Sequence, residues 1–343
     1  MDILIIKPSS LGDIVHGLQL AESLRSSIDN ARISWVSREL FAPLVQSCNT
    51  VNHTYVFHRK AHLSAFVKLI REIRQTSFDW VLDLQGLFRS GIICKCSRGK
   101  NKAGRSDARE FAGLFYPIKA SLPSAGPDSH ALEILMEFKQ LFEQETNSIL
   151  PPLKFENILS EANRLAINNR KTKRLMIFPE SRRKEKEWPF FQELTNELLK
   201  NFTNLQLVWV GTKSMKTEFK VDGFEASGQF LNLTGCTNIN EIPTLIESSD
   251  LILANDSGPM HLAAALHKEV VALFGPTDPK RYGPWGQLHN VLEAPSRELK
   301  KLSVEHVTQF LNKKLTNNLK LFFQISGYLL IVFVMIISLS SIL

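Results

Sequence analysis

Short apolar runs alternate with longer amphipathic stretches through most of the first half of the chain. Strand-like runs occupy Ile3–Ile6, Ile33–Val36, Tyr55–Phe57 and Trp80–Asp83. The segments between them, from after Asp13 to about Arg25 and over 39–46 and 64–74, are amphipathic and helix-like. Strands that alternate with helices predict a parallel sheet that is covered by helices.

The same alternation begins again after a polar connection over residues 157–173. Four further strand-like runs follow, at Leu175–Phe178, Leu205–Val210, Asp250–Ala254 and Val270–Phe274. We therefore expect two α/β domains, residues 1–156 and 157–315, each large enough to bury a core. Ligands bind at the carboxyl ends of parallel strands, so the loops that follow strands are the candidate functional segments.

The end of the chain differs from everything before it. Residues 321–343 carry no charge, and 17 of these 23 residues are apolar. A helix of this length spans roughly 34 Å, enough to cross a hydrocarbon core of ~30 Å. Lys313, Lys314 and Lys320 precede it, and by the positive-inside rule they keep the preceding domains cytoplasmic. The pattern predicts a C-terminal transmembrane anchor, with a helix docked on the protein as the alternative.

The charge of the chain is basic and unevenly distributed. The 343 residues carry 41 basic and 34 acidic side chains, a net charge of +7, with 44% apolar and 22% charged residues. This composition excludes a disordered chain and a multi-span membrane protein. The segment 89–109 holds seven basic residues and one acid, and Arg59 and Lys60 follow His58. These clusters indicate either an anionic partner or a solubilising surface. Nucleic acid is disfavoured because no recognised motif accompanies the charge.

The loop over residues 7–16 follows the first strand and opens a helix. It contains neither the glycine pattern of dinucleotide-binding proteins nor that of a P-loop. Free backbone N–H groups at such a helix start favour an anion. Asp13 lies there, where it is either a functional carboxylate at the cleft or an acid favoured by the helix dipole.

Two loops of the second half are also candidates. In the charged loop 179–189, Ser181 and Lys186 could contact a phosphate, although a solvated charged turn would have the same composition. In the loop 254–261, Asp256 could bind hydroxyls, and the N–H groups near Ser257 and Gly258 could hold a diphosphate. A plain helix cap is the alternative there, because proline follows at a first-turn position.

These loops together resemble the bacterial ADP-heptose–lipopolysaccharide heptosyltransferases, most closely those of type I. The shared motifs are Ser9-Ser10-Leu11-Gly12-Asp13, Leu82 to Leu87, Lys186-Glu187-Trp188-Pro189, Asn255 to Leu266, and Phe274 to Pro279. Arg109-Glu110 and Leu114-Phe115-Tyr116 also fit. The resemblance covers roughly residues 1–315, and the order of the motifs makes it specific. The apolar tail has no counterpart in it.

The resemblance implies the GT-B fold, in which two Rossmann-like domains face each other across a cleft; the apolar C-terminal helix would be an addition to that fold. The implied reaction is an inverting transfer of L-glycero-D-manno-heptose from ADP-heptose to a Kdo sugar of Kdo–lipid A, without a metal or a cofactor. The absence of a D-x-D motif agrees with this. The partners would be the ADP-heptose donor, the Kdo–lipid A acceptor and the membrane, at the cytoplasmic face of the bacterial inner membrane.

The resemblance also assigns roles to individual residues. Asp13 would be the catalytic base. The donor-binding residues would be Ser181, Arg182, Lys186, Thr237, Asp256, Ser257, Gly258 and His261. The acceptor-binding residues would be Ser10, Gly12, Arg59, Lys60, Arg89, Arg105 and Arg109. The family commonly has a small hydroxyl residue at the position of Arg182. The arginine could contact the diphosphate more strongly or point away from it, so the geometry and the identity of the donor stay open.

Three other functions remain open at this point. One is a related transferase that uses another nucleotide sugar, and a second is a catalytically silent, membrane-tethered protein that binds an anionic glycolipid. The third is a sugar-nucleotide epimerase of similar fold, which would turn over the donor without an acceptor. The joint presence of Asp13, Lys186 and Asp256 disfavours the silent binding protein, because binding alone does not need all three.

Overall fold

The first half of the molecule is a six-stranded parallel sheet with helices around it. The computed structural model describes residues 1–59, 62–145, 150–168, 173–212 and 228–316. The strands are β1 (Asp2–Ile6), β2 (Arg32–Arg38), β3 (His53–Phe57), β4 (Ser77–Asp83), β5 (Arg98–Arg105) and β6 (Ile118–Ala120). The helices are α1 (Leu11–Ser27), α2 (Ala42–Gln46), α3 (Leu63–Ile73), α4 (Phe88–Cys96) and α5 (Ala131–Met136).

The second half repeats this architecture. After α6 (Glu161–Asn168), the strands are β7 (Lys173–Phe178), β8 (Leu205–Trp209), β9 (Phe230–Asn232), β10 (Leu251–Asn255), β11 (Val270–Phe274) and β12 (Val291–Glu293). The helices among them are α7 (Phe191–Asn201), α8 (Ile242–Glu247), α9 (Gly258–Ala265) and α10 (Pro279–Tyr282). Residues 304–316 are also helical, which we label α11.

The first sheet has the strand order β3-β2-β1-β4-β5-β6 and the second β9-β8-β7-β10-β11-β12. Counted from the first strand of each half, the two orders are the same. Every strand pair in both sheets is parallel. In each half the order reverses beside the first strand, β1 or β7, and such a reversal opens a crevice at the carboxyl ends of the strands. The loops that follow β1, β7 and β10 therefore lie where a ligand is expected.

The central strands are apolar because helices cover both of their faces. Ile3 to Ile6 of β1 and Leu251 to Asn255 of β10 are all buried. Side chains on both faces of such strands leave water, so their sequences are continuous apolar runs rather than alternating ones. This explains why the apolar runs were sufficient to locate these strands in the sequence.

The predicted two-domain α/β organisation is confirmed, and four strands were missed. The apolar runs in the sequence correspond to β1 to β4, β7, β8, β10 and β11, whereas β5, β6, β9 and β12 were not predicted. β5 reads RGKNKAGR and has no apolar run, while β6, β9 and β12 each have three residues. The last strand of the first sheet ends at Ala120 and the first of the second begins at Lys173, and the division at residue 156 stays a prediction.

The predicted C-terminal helix over 321–343 lies outside the described residues. Within the described ranges, which end at residue 316, we find no helix with both the length and the apolar character needed to cross a bilayer. The membrane anchor therefore stays a prediction from the sequence.

Candidate active site

Asp13 lies in the first turn of α1, at the carboxyl edge of the first sheet. Its Oδ2 accepts hydrogen bonds from the backbone N–H and the hydroxyl of Ser10, at 3.0 and 2.7 Å. Burial tends to raise the pKa of Asp13, but the Lys7 ammonium and the two Ser10 bonds outweigh it and hold that pKa well below its ordinary value. The side chain remains 44% exposed, so an ionised carboxylate is accessible at this edge.

Lys7 supplies the positive charge beside that carboxylate. Its Nζ lies 3.5 Å from Oδ1 of Asp13, and its side chain is only 3% exposed. Burial lowers the pKa of Lys7, while the charge of Asp13 opposes that effect. The indole N–H of Trp35 donates to the carbonyl of Lys7 at 3.1 Å, which fixes the backbone where β1 ends. The sequence placed Lys7 in the first loop but indicated no role for it.

The starts of α1 and α9 pack directly against each other and bring the two domains together. A Cβ added at Gly12 would lie 2.7 Å from Cδ2 of His261, and one added at Gly258 would lie 2.5 Å from the side chain of Leu11. Both glycines are therefore required by close approach. The predicted acceptor residue Gly12 and the predicted donor residues Gly258 and His261 thus meet at one place.

Three buried histidines continue this contact between the domains. Nε2 of His16 lies 3.1 Å from Nδ1 of His261, and the ring of His130 lies 5.6 Å from that of His16. His130 in turn contacts the carbonyl of Gly283 at 3.0 Å. Burial lowers the pKa of all three, to about 4 for His261, and the other imidazoles add to the effect at His16 and His261. The histidines are therefore neutral near pH 7.

Asp256 is the centre of a polar cluster at the carboxyl end of β10. Its Oδ2 is 2.5 Å from Nζ of Lys186 and accepts a hydrogen bond from the hydroxyl of Thr277 at 2.6 Å. The hydroxyl of Ser181 donates to the Asp256 carbonyl at 3.3 Å. The Asp256 side chain is 7% exposed and that of Lys186 15%, so this ion pair is largely shielded from water. The loops after β7, β10 and β11 thus meet at one point.

Asn255 holds the loop that follows β7 in place at both of its ends. Its side-chain N–H donates to the carbonyl of Pro179 at 2.7 Å, and its Oδ1 accepts from the N–H of Trp188 at 3.1 Å. Ser257 occupies the N-cap position of α9, but its buried hydroxyl makes no hydrogen bond with any of the described residues. Buried polar groups are normally satisfied, so this hydroxyl is available to a ligand at the start of α9.

The remaining predicted donor residues do not join the cluster. Arg182 is exposed and makes no hydrogen bond or ion pair within the described ranges. Thr237 is half-buried in the loop that follows β9, at the same edge of the second sheet as Phe178. Both positions lie in loops that follow strands of the second sheet, and their assignment to the donor stays a prediction.

The predicted acceptor residues are spread along the carboxyl edge of the first sheet. The Arg105 guanidinium pairs with both oxygens of Asp107, at 2.8 and 2.6 Å, so Asp107 partly neutralises this cation. Arg59, Arg89 and Arg109 are exposed. Lys60 lies outside the described residues. Ser10 contacts Asp13, as described above.

Reasoning from the sequence missed Lys7, Asn255, Thr277 and His16 as parts of this site. Each lies in or next to a recognised motif, but nothing in the sequence pattern indicated that its side chain would contact the candidate catalytic or donor-binding residues. A buried lysine and a threonine in a turn have many ordinary functions, and only their contacts with Asp13 and Asp256 distinguish them.

The curated proteins and solved structures that are similar to this chain include several heptosyltransferases. Lipopolysaccharide heptosyltransferase 1 of Escherichia coli O18:K1:H7 (strain RS218 / NMEC) is 25% identical over 328 residues, covering 91% of this chain and 98% of that protein. Its counterpart from Campylobacter coli is 27% identical over 295 residues, covering 81% and 84%. Among solved structures, E. coli heptosyltransferase WaaC with ADP has a TM-score of 0.73 at 23% identity, covering 91% of this chain and 99% of that one.

A second solved structure, E. coli ADP-heptose lps heptosyltransferase II, also has a TM-score of 0.73, at 21% identity and with 93% and 99% coverage. These two structures share the fold of two facing α/β domains with this chain. The family model for glycosyltransferase family 9 (heptosyltransferase) matches residues 66–311, most of both domains. The chain therefore belongs to glycosyltransferase family 9, the heptosyltransferases.

Proposed function

We propose that this chain is an inverting, metal-independent lipopolysaccharide heptosyltransferase of type I. It transfers L-glycero-D-manno-heptose from ADP-heptose to a Kdo sugar of Kdo–lipid A. The observation that carries the proposal is the meeting of α1 and α9. Asp13 stands at the start of one helix, and Asp256 with Lys186 stands beside the start of the other, in contact through Gly12 and His261.

Asp13 would accept the proton of the attacking hydroxyl. Its low pKa keeps it ionised near neutral pH but makes it a weak base towards a neutral alcohol. The hydroxyl becomes acidic only as its oxygen bonds to the anomeric carbon, so proton transfer would accompany or follow bond formation. Attack from the Asp13 side and departure of ADP on the opposite side would invert the configuration.

The start of α9 would bind the diphosphate as ADP leaves. The free N–H groups of the first turn carry a partial positive charge and favour an anion, and the Ser257 hydroxyl can donate a further bond. Lys186 would shift between Asp256 and the diphosphate, while Asp256 would accept hydrogen bonds from the heptose hydroxyls. Such charge stabilisation in a shielded site replaces the role that a metal has in other transferases.

The basic surface of the first domain would hold the acceptor. Arg59, Arg89 and Arg109 are exposed, and Lys60 belongs to the same predicted set. Kdo–lipid A offers carboxylate and phosphate groups, which arginine binds through paired hydrogen bonds. The apolar tail at 321–343 would anchor the enzyme at the cytoplasmic face of the inner membrane and raise its effective concentration beside a lipid acceptor.

Mass spectrometry of the product from Kdo–lipid A and ADP-heptose tests this proposal. We expect a mass increase of one heptose that depends on both substrates and persists in the presence of a chelator. Preference for another nucleotide sugar in a donor panel would point to a related transferase. Donor turnover without an acceptor would point to an epimerase, and binding of the glycolipid without any turnover to a silent binding protein.

A further inference from the structure

An apolar surface patch stands on the first domain, formed by the start of α4 and the segment between β5 and β6. Phe111 and Leu114 are each 81% exposed, and Phe88 at the start of α4 is 46% exposed. These three side chains, which we call the aromatic patch, are close neighbours. The N–H of Phe88 donates to the carboxylate of Glu110 at 3.2 Å, and the N–H of Leu114 donates to the carbonyl of Phe111 at 3.1 Å.

The backbone conformation fixes the outward orientation of the aromatic patch. Glu110 and Phe111 both have positive φ, at 55° and 60°, a conformation that costs free energy for residues with a side chain. Beneath them, Phe115 packs against Phe88 at 5.6 Å between ring centroids, and Gly91 leaves room for its ring. The interior side of the segment is thus tied to α4, while Phe111 and Leu114 project into solvent.

Cations surround the aromatic patch. Nζ of Lys95 lies 5.6 Å from the centre of the Phe115 ring, and the end of the Lys119 side chain lies beside Gly113. Arg89 follows Phe88 and Arg109 precedes Glu110, and all four cations are exposed. Glu110 supplies one carboxylate, so four cations and one acid give a local charge of +3. A second copy of the chain would meet this charge with an equal one, which disfavours pairing of the patch with itself.

We propose that the aromatic patch inserts Phe111 and Leu114 into a lipid surface with anionic headgroups. Apolar side chains surrounded by lysine and arginine match the boundary between acyl chains and acidic headgroups. This inference rests on the proposed function, because docking would serve to bring the enzyme to a lipid-linked acceptor. The N–H of Arg109 donates to the Gly86 carbonyl, and the charge of Arg105 acts on Lys7, so docking would occur beside the site of Asp13.

A fluorescent reporter on the full chain tests insertion at this position, whatever other contacts the protein makes with the membrane. In a background with Cys96→Ser and Cys236→Ser, the variant Leu114→Cys is labelled with the environment-sensitive dye NBD. The remaining thiols, Cys48 and Cys94, are buried. On phosphatidylcholine vesicles that contain phosphatidylglycerol, we expect the emission to rise, to shift to the blue and to be quenched by doxyl-labelled lipid.

The matched control carries the same dye at Leu165→Cys, which is 67% exposed on α6 in the second domain. Its emission should not change. A second variant, Phe111→Ser with the label at residue 114, should bind at least about tenfold less well at equal lipid, since one inserted aromatic side chain is lost. Equal signals from residues 114 and 165, or no response of either to anionic vesicles, would overturn the inference.

Heptose transfer is measured on the same labelled protein. Insertion without transfer would contradict the proposed function alone, whereas transfer without insertion would contradict the docking surface alone. A response to an acidic peptide but not to vesicles would mean that the patch binds a protein, and it too would overturn the proposal.

Discussion

Nε2 of His16 and Nδ1 of His261 lie 3.1 Å apart, and this contact joins the first helix of one domain to α9 of the other. The two rings are buried and stacked edge to face, with centroids 4.5 Å apart. Because at most one hydrogen can lie between the two nitrogens, the contact requires that they are not both protonated. The neighbouring charges of Asp13 and Asp256 favour protonation, but burial dominates and keeps the rings neutral.

This pair makes stability depend on pH in the mildly acidic range. Unfolded histidines have a pKa near 6.5, and the folded pKa of both rings is lower, about 4 for His261. Between these values the unfolded state binds more protons, so stability falls by about 1.4 kcal/mol per pH unit for each such proton as the pH decreases. Above the unfolded value there is no effect. Urea unfolding from neutral pH down to pH 5 measures the slope.

The variant His16→Gln should make that slope shallower, because one of the three buried rings with a lowered pKa is removed. The control His289→Gln changes an exposed ring of the second domain and should leave the slope as it is. A wild-type stability that is constant over this range would show that the rings titrate alike in both states.

Replacing Asp13 tests the base directly. Asp13→Ala should lower kcat by roughly 10²–10⁴-fold, the range over which a positioned base accelerates proton transfer. Binding of ADP-heptose, measured by calorimetry, should be largely retained because Asp13 belongs to the other domain. Ser10→Ala serves as the control, since it removes a hydrogen bond to Asp13 but keeps the carboxylate. Activity of Asp13→Ala close to that of the wild type would refute the assignment.

Lys7 should set the lower pH limit of activity through the pKa of Asp13. Removing its charge with Lys7→Met leaves burial to raise that pKa, so the ionised form is lost at a higher pH. The acid side of the kcat profile should therefore move upward in pH. Lys100→Met, which breaks an exposed pair with Asp79, is the control and should leave the profile in place. Superimposable profiles for all three proteins would mean that Lys7 does not act on the base.

Thr277 should contribute to donor binding by holding Asp256. Thr277→Val keeps the shape of the side chain but removes a hydrogen bond to the carboxylate. A loss of about 0.5–1.5 kcal/mol is expected, which is about 2- to 10-fold in KM for ADP-heptose. Thr308→Val in α11 removes a buried hydroxyl that has no hydrogen-bond partner among the described residues, and it should leave the donor KM unchanged. An unchanged donor KM in Thr277→Val would contradict a role for this contact.

Gly12 should resist even a single added methyl group. In a helix, a change from glycine to alanine usually stabilises by roughly 0.5–1 kcal/mol. In Gly12→Ala the new Cβ would meet His261, so we expect destabilisation by about 1–3 kcal/mol and a loss of transfer. Gly113→Ala places its methyl in ordinary van der Waals contact with the end of the Lys119 side chain and is the matched control for thermal unfolding. If Gly12→Ala unfolded at a higher temperature than the wild type, the contact between the domains would be able to accommodate the added methyl group.

Much of the fold was predictable because its central strands are buried on both faces. Continuous apolar runs marked β1 and β10, and helix starts followed them at recognisable loops. β5 escaped prediction because its residues are mostly polar and only two of the eight are buried. Its pairing with β4 and β6 is made by backbone groups, which every residue carries, so composition does not record it.

The sequence by itself determined two α/β domains, the loops that carry the candidate chemistry, and Asp13, Lys186 and Asp256 within them. Those inferences depend on the local pattern of residues and on the order of the motifs, which can both be read directly from the sequence. Only the tertiary structure decided that Lys7 lies beside Asp13, that Thr277 holds Asp256, and that His16 meets His261. His16 and His261 are 245 positions apart, so the part of the lowered His16 pKa that is due to His261 exists only once the two domains are packed together.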